Sequence, residues 1–89
     1  MISRKVVIHN ELGLHARAAA KFVSLANRFT STIRLSRDTL TVDGKSIMGV
    51  LSLAATCGTS LTLTAEGKDE EGALATLSGL IEGDFGEIK

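Results

Sequence analysis

The order of hydrophobic periods along this chain predicts an α+β two-layer sandwich, βαββαβα, in which a four-stranded antiparallel sheet carries three helices on one face. Three observations support this. Ser60-Leu61-Thr62-Leu63-Thr64-Ala65 alternates apolar residues with hydroxyl residues, the period of a strand packed on one side and wet on the other. Leu14, Ala18, Phe22, Leu25 and Phe29 recur instead at four- and three-residue steps, the period of a helix with one buried face. Two further alternating runs, Thr32-Ile33-Arg34-Leu35-Ser36 and Leu40-Thr41-Val42-Asp43, are separated only by Arg37-Asp38-Thr39, a link short enough for a hairpin.

The first strand is predicted over about Ile2 to Ile8, where β-branched residues dominate. Asn10-Glu11-Leu12-Gly13 then forms a turn leading to His15. The first helix is expected from Ala16 to about Arg28, with Ala19, Val23 and Ala26 beside its apolar stripe and Arg17, Lys21, Ser24 and Arg28 on the exposed face. After the hairpin, Gly44 breaks the alternation. Ser46 is placed to cap a short helix running to about Ala54 or Ala55, and Gly58 ends that segment. Beyond the strand at residues 60–65, Asp69 is an N-cap candidate. Glu70 and Glu71 add first-turn carboxylates ahead of Ala73, Leu74, Leu77, Leu80 and Ile81. Gly72 and Gly79 each cost this last helix roughly 0.5–1 kcal/mol relative to alanine, so packing must hold it, and Gly83 ends it.

At 89 residues the chain is expected to be one domain, residues 1–89, with a core that needs neither metal nor disulfide. The single cysteine, Cys57, excludes an internal disulfide and every multi-cysteine metal site. It is expected as a small buried hydrophobe in a reducing compartment. The apolar run after Met1-Ile2-Ser3-Arg4-Lys5 is too brief for a signal peptide or a membrane span, so a soluble, cytoplasmic protein is expected. Basic and acidic residues cancel, and with no Tyr or Trp to stack bases, general nucleic-acid binding is disfavoured. The charges are unevenly placed: residues 1–45 hold eight Lys/Arg against three Asp/Glu, and residues 46–89 hold two against seven. That asymmetry points to a basic face for an acidic partner, although sequence halves interleave in such folds.

Chemistry concentrates at Gly13-Leu14-His15-Ala16-Arg17-Ala18-Ala19-Ala20. There an imidazole stands at a helix start, a guanidinium follows two residues later, and small residues leave room for a partner. A helix start has amides without intrahelical partners and partial positive charge, which suits an anion. Imidazole supplies a nucleophilic nitrogen near neutral pH, here held beside a phosphate cradle. Arg17 is a cation where the helix dipole disfavours one, and its fork fits phosphoryl oxygens. His9 has no metal-ligand companion at useful spacing. Asp69-Glu70-Glu71 reads as a helix start rather than an acid/base pair.

Together with Asp43-Gly44-Lys45-Ser46-Ile47-Met48-Gly49-Val50-Leu51, the His15 segment resembles the two signatures of the HPr family, the histidine-containing phosphocarriers of the bacterial phosphotransferase system. Strand and helix order and spacing match over nearly all of the chain. One departure is Ala18, where the family usually has proline; alanine, the best helix former, is expected to substitute there without breaking the start. The resemblance implies an open-faced sandwich in which the His15 ring, at Nδ1, accepts a phosphoryl group from phosphorylated enzyme I and passes it to enzyme II A components. Arg17 would steady the group. It also implies a partner-docking surface of Ala16, Lys21, Ile47, Met48 and Leu51. Ser46 would be a regulatory phosphorylation site where an HPr kinase/phosphorylase exists. A monomer without cofactor or metal is expected, a carrier rather than a stand-alone catalyst. A rival reading is a regulatory binding module of the same fold acting on an enzyme or transcription factor. A third, a small ligand- or metal-binding domain, is weakened by the lack of a Cys/His cluster.

Overall fold

The computed structural model describes residues 1–86, so the end of the expected 1–89 unit lies outside the described residues. The elements are β1 (Ile2–Val7), α1 (Ala16–Ala26), β2 (Thr32–Arg37), β3 (Leu40–Asp43), α2 (Ile47–Ser52), β4 (Ser60–Glu66) and α3 (Glu70–Glu82), followed by one 3₁₀ turn over Asp84–Gly86. The strands lie in the order β1-β4-β2-β3, each pair antiparallel, with the helices on one face as predicted.

Register sorts the side chains. Val6 faces Leu61 and Leu35 faces Leu63, and all four are buried beneath the helices. On the other face Ser3 and Thr64 are partners, their hydroxyl oxygens 3.0 Å apart. Phe22 of α1, Val50 of α2, and Leu77 and Ile81 of α3 complete the core. Each large side chain buried contributes about 1.5–3 kcal/mol, which outweighs about 0.5–1 kcal/mol for each glycine in α3 and explains why that helix holds.

Several boundaries differ from the sequence expectation, each for a local reason. α1 ends at Ala26 rather than near Arg28. Asn27 caps it, its side-chain amide donating to the Val23 carbonyl at 2.9 Å, and Arg28 and Phe29 continue as looser turns bonded to Leu25 and Ala26. α2 stops at Ser52, short of Ala54, because Ala54 turns to φ 50 and leaves the helix. Asp69 stands at the cap position of α3 without capping it. Its carboxylate instead accepts hydrogen bonds from the Ser31 hydroxyl and, at 2.9 Å each, from the Thr30 and Ser31 amides, tying the start of α3 to the start of β2. The Ser31 hydroxyl bond, reinforced by the two amides, holds that carboxyl at about 2. Glu70 accepts from the Gly67 amide at 3.1 Å and pairs with the N-terminal ammonium at 3.2 Å; both lower its pKa, the amide more. Cys57 is exposed, not buried: it sits in a turn closed by the Thr59 amide on the Thr56 carbonyl. Phe85, to which the sequence reading gave no role, is fully buried.

Candidate functional site

The loop between β1 and α1 is fixed from both sides. Buried Asn10 donates to the Gly13 carbonyl at 2.6 Å, and the Gly13 amide returns a bond to the Asn10 carbonyl at 3.0 Å. Gly13 has φ 68, and a Cβ there would lie 2.7 Å from the Ala55 carbonyl oxygen and 2.9 Å from the Thr56 Cα, so only glycine fits. The Leu14 amide then donates to that same Ala55 carbonyl at 2.9 Å. The chain reaches His15 with its backbone pinned to the segment that follows α2.

His15 is the N-cap residue of α1, half-buried, with extended backbone at φ −80 and ψ 178. Its side chain makes no capping bond to its own helix. The helical ladder begins with the Ala19 amide on the His15 carbonyl at 2.8 Å, so the amides of Ala16, Arg17 and Ala18 lie ahead of it at the positive end of the dipole. A ring nitrogen and a set of forward-pointing amides thus stand at one helix start, an arrangement suited to an anionic group on the ring.

Arg17 is exposed and lines a groove of about 460 Å³ between α1 and α3, together with Ala20, Lys21, Ser24, Leu25, Arg28 and Leu80. The expected basic face of α1 is therefore the wall of this groove. Lys21 is exposed but tethered, its ammonium donating to the Phe85 carbonyl at 2.9 Å. Ala16 is exposed beside His15.

At the second motif, Ser46 is half-buried and caps α2, its hydroxyl accepting from the Gly49 amide at 3.1 Å. Lys45 donates to the Phe29 carbonyl at 2.7 Å, fastening this corner to the end of α1. Ile47 and Met48 face outward, 44% and 79% exposed, whereas Leu51 is half-buried and packs on the core. The outward apolar surface of α2 is thus Ile47 and Met48. Leu12, 70% exposed in the loop before His15, adds an apolar residue where the sequence predicts only a turn.

Arg37 has a structural role that its place in the sequence does not announce. Its position suggests a hairpin turn, yet it ends β2, and its Nη1 donates to the Leu53 and Ala54 carbonyls, each at 2.9 Å. A partner sixteen residues away leaves no local signal. His9 is exposed, and its carbonyl lies 3.4 Å from the Cys57 Sγ. Among the described residues no group of three His, Cys, Asp or Glu side chains is arranged to hold a metal ion, and no helix is long and apolar enough to cross a membrane.

Comparison with known proteins bears directly on this geometry. The model of the family described as the PTS HPr component phosphorylation site matches residues 2–83. The phosphocarrier protein HPr of Cupriavidus necator is 49% identical over 87 residues, covering 98% of each chain. Among solved structures, HPr from Thermoanaerobacter tengcongensis is 46% identical with a TM-score of 0.95, covering 100% of both chains. The Bacillus subtilis protein Crh, a catabolite-repression protein crystallised as a dimer with a swapped domain, is 46% identical with a TM-score of 0.77, covering 94% of this chain and 97% of that one.

Proposed function

The chain belongs to the HPr family of phosphotransferase-system phosphocarriers, and from that membership we propose that His15 is its phosphoryl acceptor, charged by phosphorylated enzyme I and discharged to enzyme II A components. The observation that carries the reading is the placement of His15 at the N-cap of α1, with the amides of Ala16, Arg17 and Ala18 ahead of the first ladder bond. In the transfer a lone pair of the ring forms the new N–P bond as the donor's bond to phosphorus breaks. The amides and the helix dipole stabilise the charge on the phosphoryl oxygens. Arg17 supplies an exposed cation for the same oxygens from the first turn of α1. Ile47 and Met48, with Ala16 and Lys21 and the edge of Leu51, form the docking surface, apolar at its centre and basic at its rim.

In this reading Ser46 is a regulatory site for an HPr kinase/phosphorylase. The acting unit is one copy of a single domain spanning 1–89, in the cytoplasm. The similarity to Crh favours one second reading, a regulatory binding module that acts through the α2 surface. Incubation with phosphoenolpyruvate and catalytic enzyme I, followed by intact mass measurement, separates the two. A single acid-labile phosphoryl adduct is expected for a carrier, and an unchanged mass favours the module.

A further inference from the structure

The last carbonyls of α2 carry partial negative charge, and the chain leaves the helix through Ala54 at φ 50, a conformation unfavourable for a residue with a Cβ. Such a turn persists only where surrounding contacts hold it. Arg37 provides two of them, its single Nη1 bonding both the Leu53 and the Ala54 carbonyl. One peptide unit further, the Ala55 carbonyl receives the Leu14 amide at 2.9 Å, and the close approach of Gly13 to the same carbonyl leaves little room for adjustment. Leu14 immediately precedes His15.

We propose that Arg37 is a positioning residue for His15: by fixing segment 53–55 it sets the carbonyl on which the backbone before the imidazole hangs. This rests on the carrier reading of His15. The alternative is that Arg37 only stabilises the fold by neutralising the end of α2, and the two roles differ in what they move. A stabiliser changes the global opening of the protein. A positioning residue changes the local opening at Leu14 and the chemical step.

The experiment compares wild type, Arg37→Ala, Arg37→Lys and Arg34→Ala, the last on the same strand but exposed, at a temperature where each is fully folded by circular dichroism. Amide hydrogen exchange is read at Leu14 against Leu63 in the interior strand β4, and phosphoryl transfer from phosphorylated enzyme I is read as kcat and KM. Arg37→Ala is expected to speed Leu14 exchange about tenfold beyond any change at Leu63. It is expected to lower kcat about tenfold with KM unchanged, the scale of effect that a displaced reacting group produces. Arg37→Lys restores much of both, because an ammonium keeps the charge and the donors, and Arg34→Ala changes neither. Leu14 exchange that merely follows Leu63 in Arg37→Ala, or a kcat equal to wild type, overturns the proposal. Failure of the wild-type protein to accept a phosphoryl group overturns the carrier reading instead. The exchange measurement needs no phosphoryl donor and still decides whether Arg37 holds Leu14.

Discussion

The starts of α1 and α2 meet the same physical problem and solve it in opposite ways. Both have extended N-cap residues, and in both the first amides of the helix find no carbonyl within the helix itself. At α2 the cap residue is serine, and its hydroxyl takes the Gly49 amide, so the helix satisfies itself. At α1 the cap residue is histidine, whose side chain makes no such bond. The amides of Ala16, Arg17 and Ala18 precede the first ladder bond of that helix, and under the carrier reading they face the group that the imidazole accepts. A six-residue helix such as α2 depends on its cap, whereas the eleven residues of α1, with Ala18, Phe22 and Ala26 fully buried, hold their start by packing.

The sharpest way to break this contrast is to remove the imidazole. His15→Ala is expected to abolish the phosphoryl adduct while leaving the thermal midpoint nearly unchanged, since the side chain is only half-buried and lies outside the core cluster. Intact mass and calorimetry check both halves. An adduct that survives in the variant would move the acceptor elsewhere, with exposed His9 the first candidate.

At the other start the side chain is structural, and modifying it tests whether a cap can also be a switch. A phosphate on Ser46 adds about −1.5 to −2 charges at the positive end of α2, so the fold should survive, while the surface beside Ile47 and Met48 turns negative. Transfer from enzyme I is expected to fall about tenfold or more through weaker association and to recover in part as salt screens the repulsion. Ser46→Ala is expected to transfer normally but to lose about 1 kcal/mol of stability with its cap. Stopped-flow transfer at two ionic strengths and urea denaturation read these effects. Equal rates for modified and unmodified protein would leave Ser46 as a cap alone.

Where neighbours in sequence decide, the fold was legible: the Leu/Ser-Thr alternation of β4, the stripe Leu14-Ala18-Phe22 and the Ser46 cap all follow from local periods and side-chain chemistry. Legibility ended where distant segments decide. Ala54 and Ala55 are strong helix formers, yet α2 stops before them because Arg37 and Leu14 claim the carbonyls of residues 53–55. Asp69 looks like a cap by type and place, but the Thr30–Ser31 donors, about forty residues away in sequence, outcompete its own helix. The candidate site was readable as residue types at His15, Arg17 and Ser46. Its support was not: the Asn10–Gly13 pair closes within the loop, but the Leu14 bond and the close approach of Gly13 both go to Ala55, about forty residues away in sequence.

The start of α3 sharpens the comparison from a third direction, since its acidic cap residue is diverted to another element. Asp69 sits at about 2 when folded against an ordinary 3.8. Its stabilisation is therefore fully present above the ordinary value and is lost as pH falls through the folded one. Urea midpoints at pH 7, 4 and 2 are expected to show wild type weakening most between pH 4 and 2. Asp69→Asn should be weaker at pH 7 and flatter across that window. A variant that parallels wild type throughout would show that Asp69 does not set this part of the acid response; lowered Glu70 contributes in the same direction.

The smallest effect belongs to Ala18, and it tests where the start of α1 lies. The ladder opens with Ala19 on His15, so the Ala18 amide precedes it, and a residue lacking that N–H removes no intrahelical bond. Proline fixes φ near the helical value, which restricts the unfolded chain more than the folded one. Against this, the proline ring disfavours helical backbone at Arg17 and must fit where Ala18 is fully buried. These terms oppose one another at about 1 kcal/mol or less. Ala18→Pro is therefore expected to keep its far-ultraviolet spectrum, shift the thermal midpoint by only a few degrees and transfer a phosphoryl group at close to the wild-type rate. A large loss of helicity would mean that the ladder begins before residue 18. The amides assigned to the phosphoryl group would then already be spent within the helix, and the contrast between the two starts would collapse.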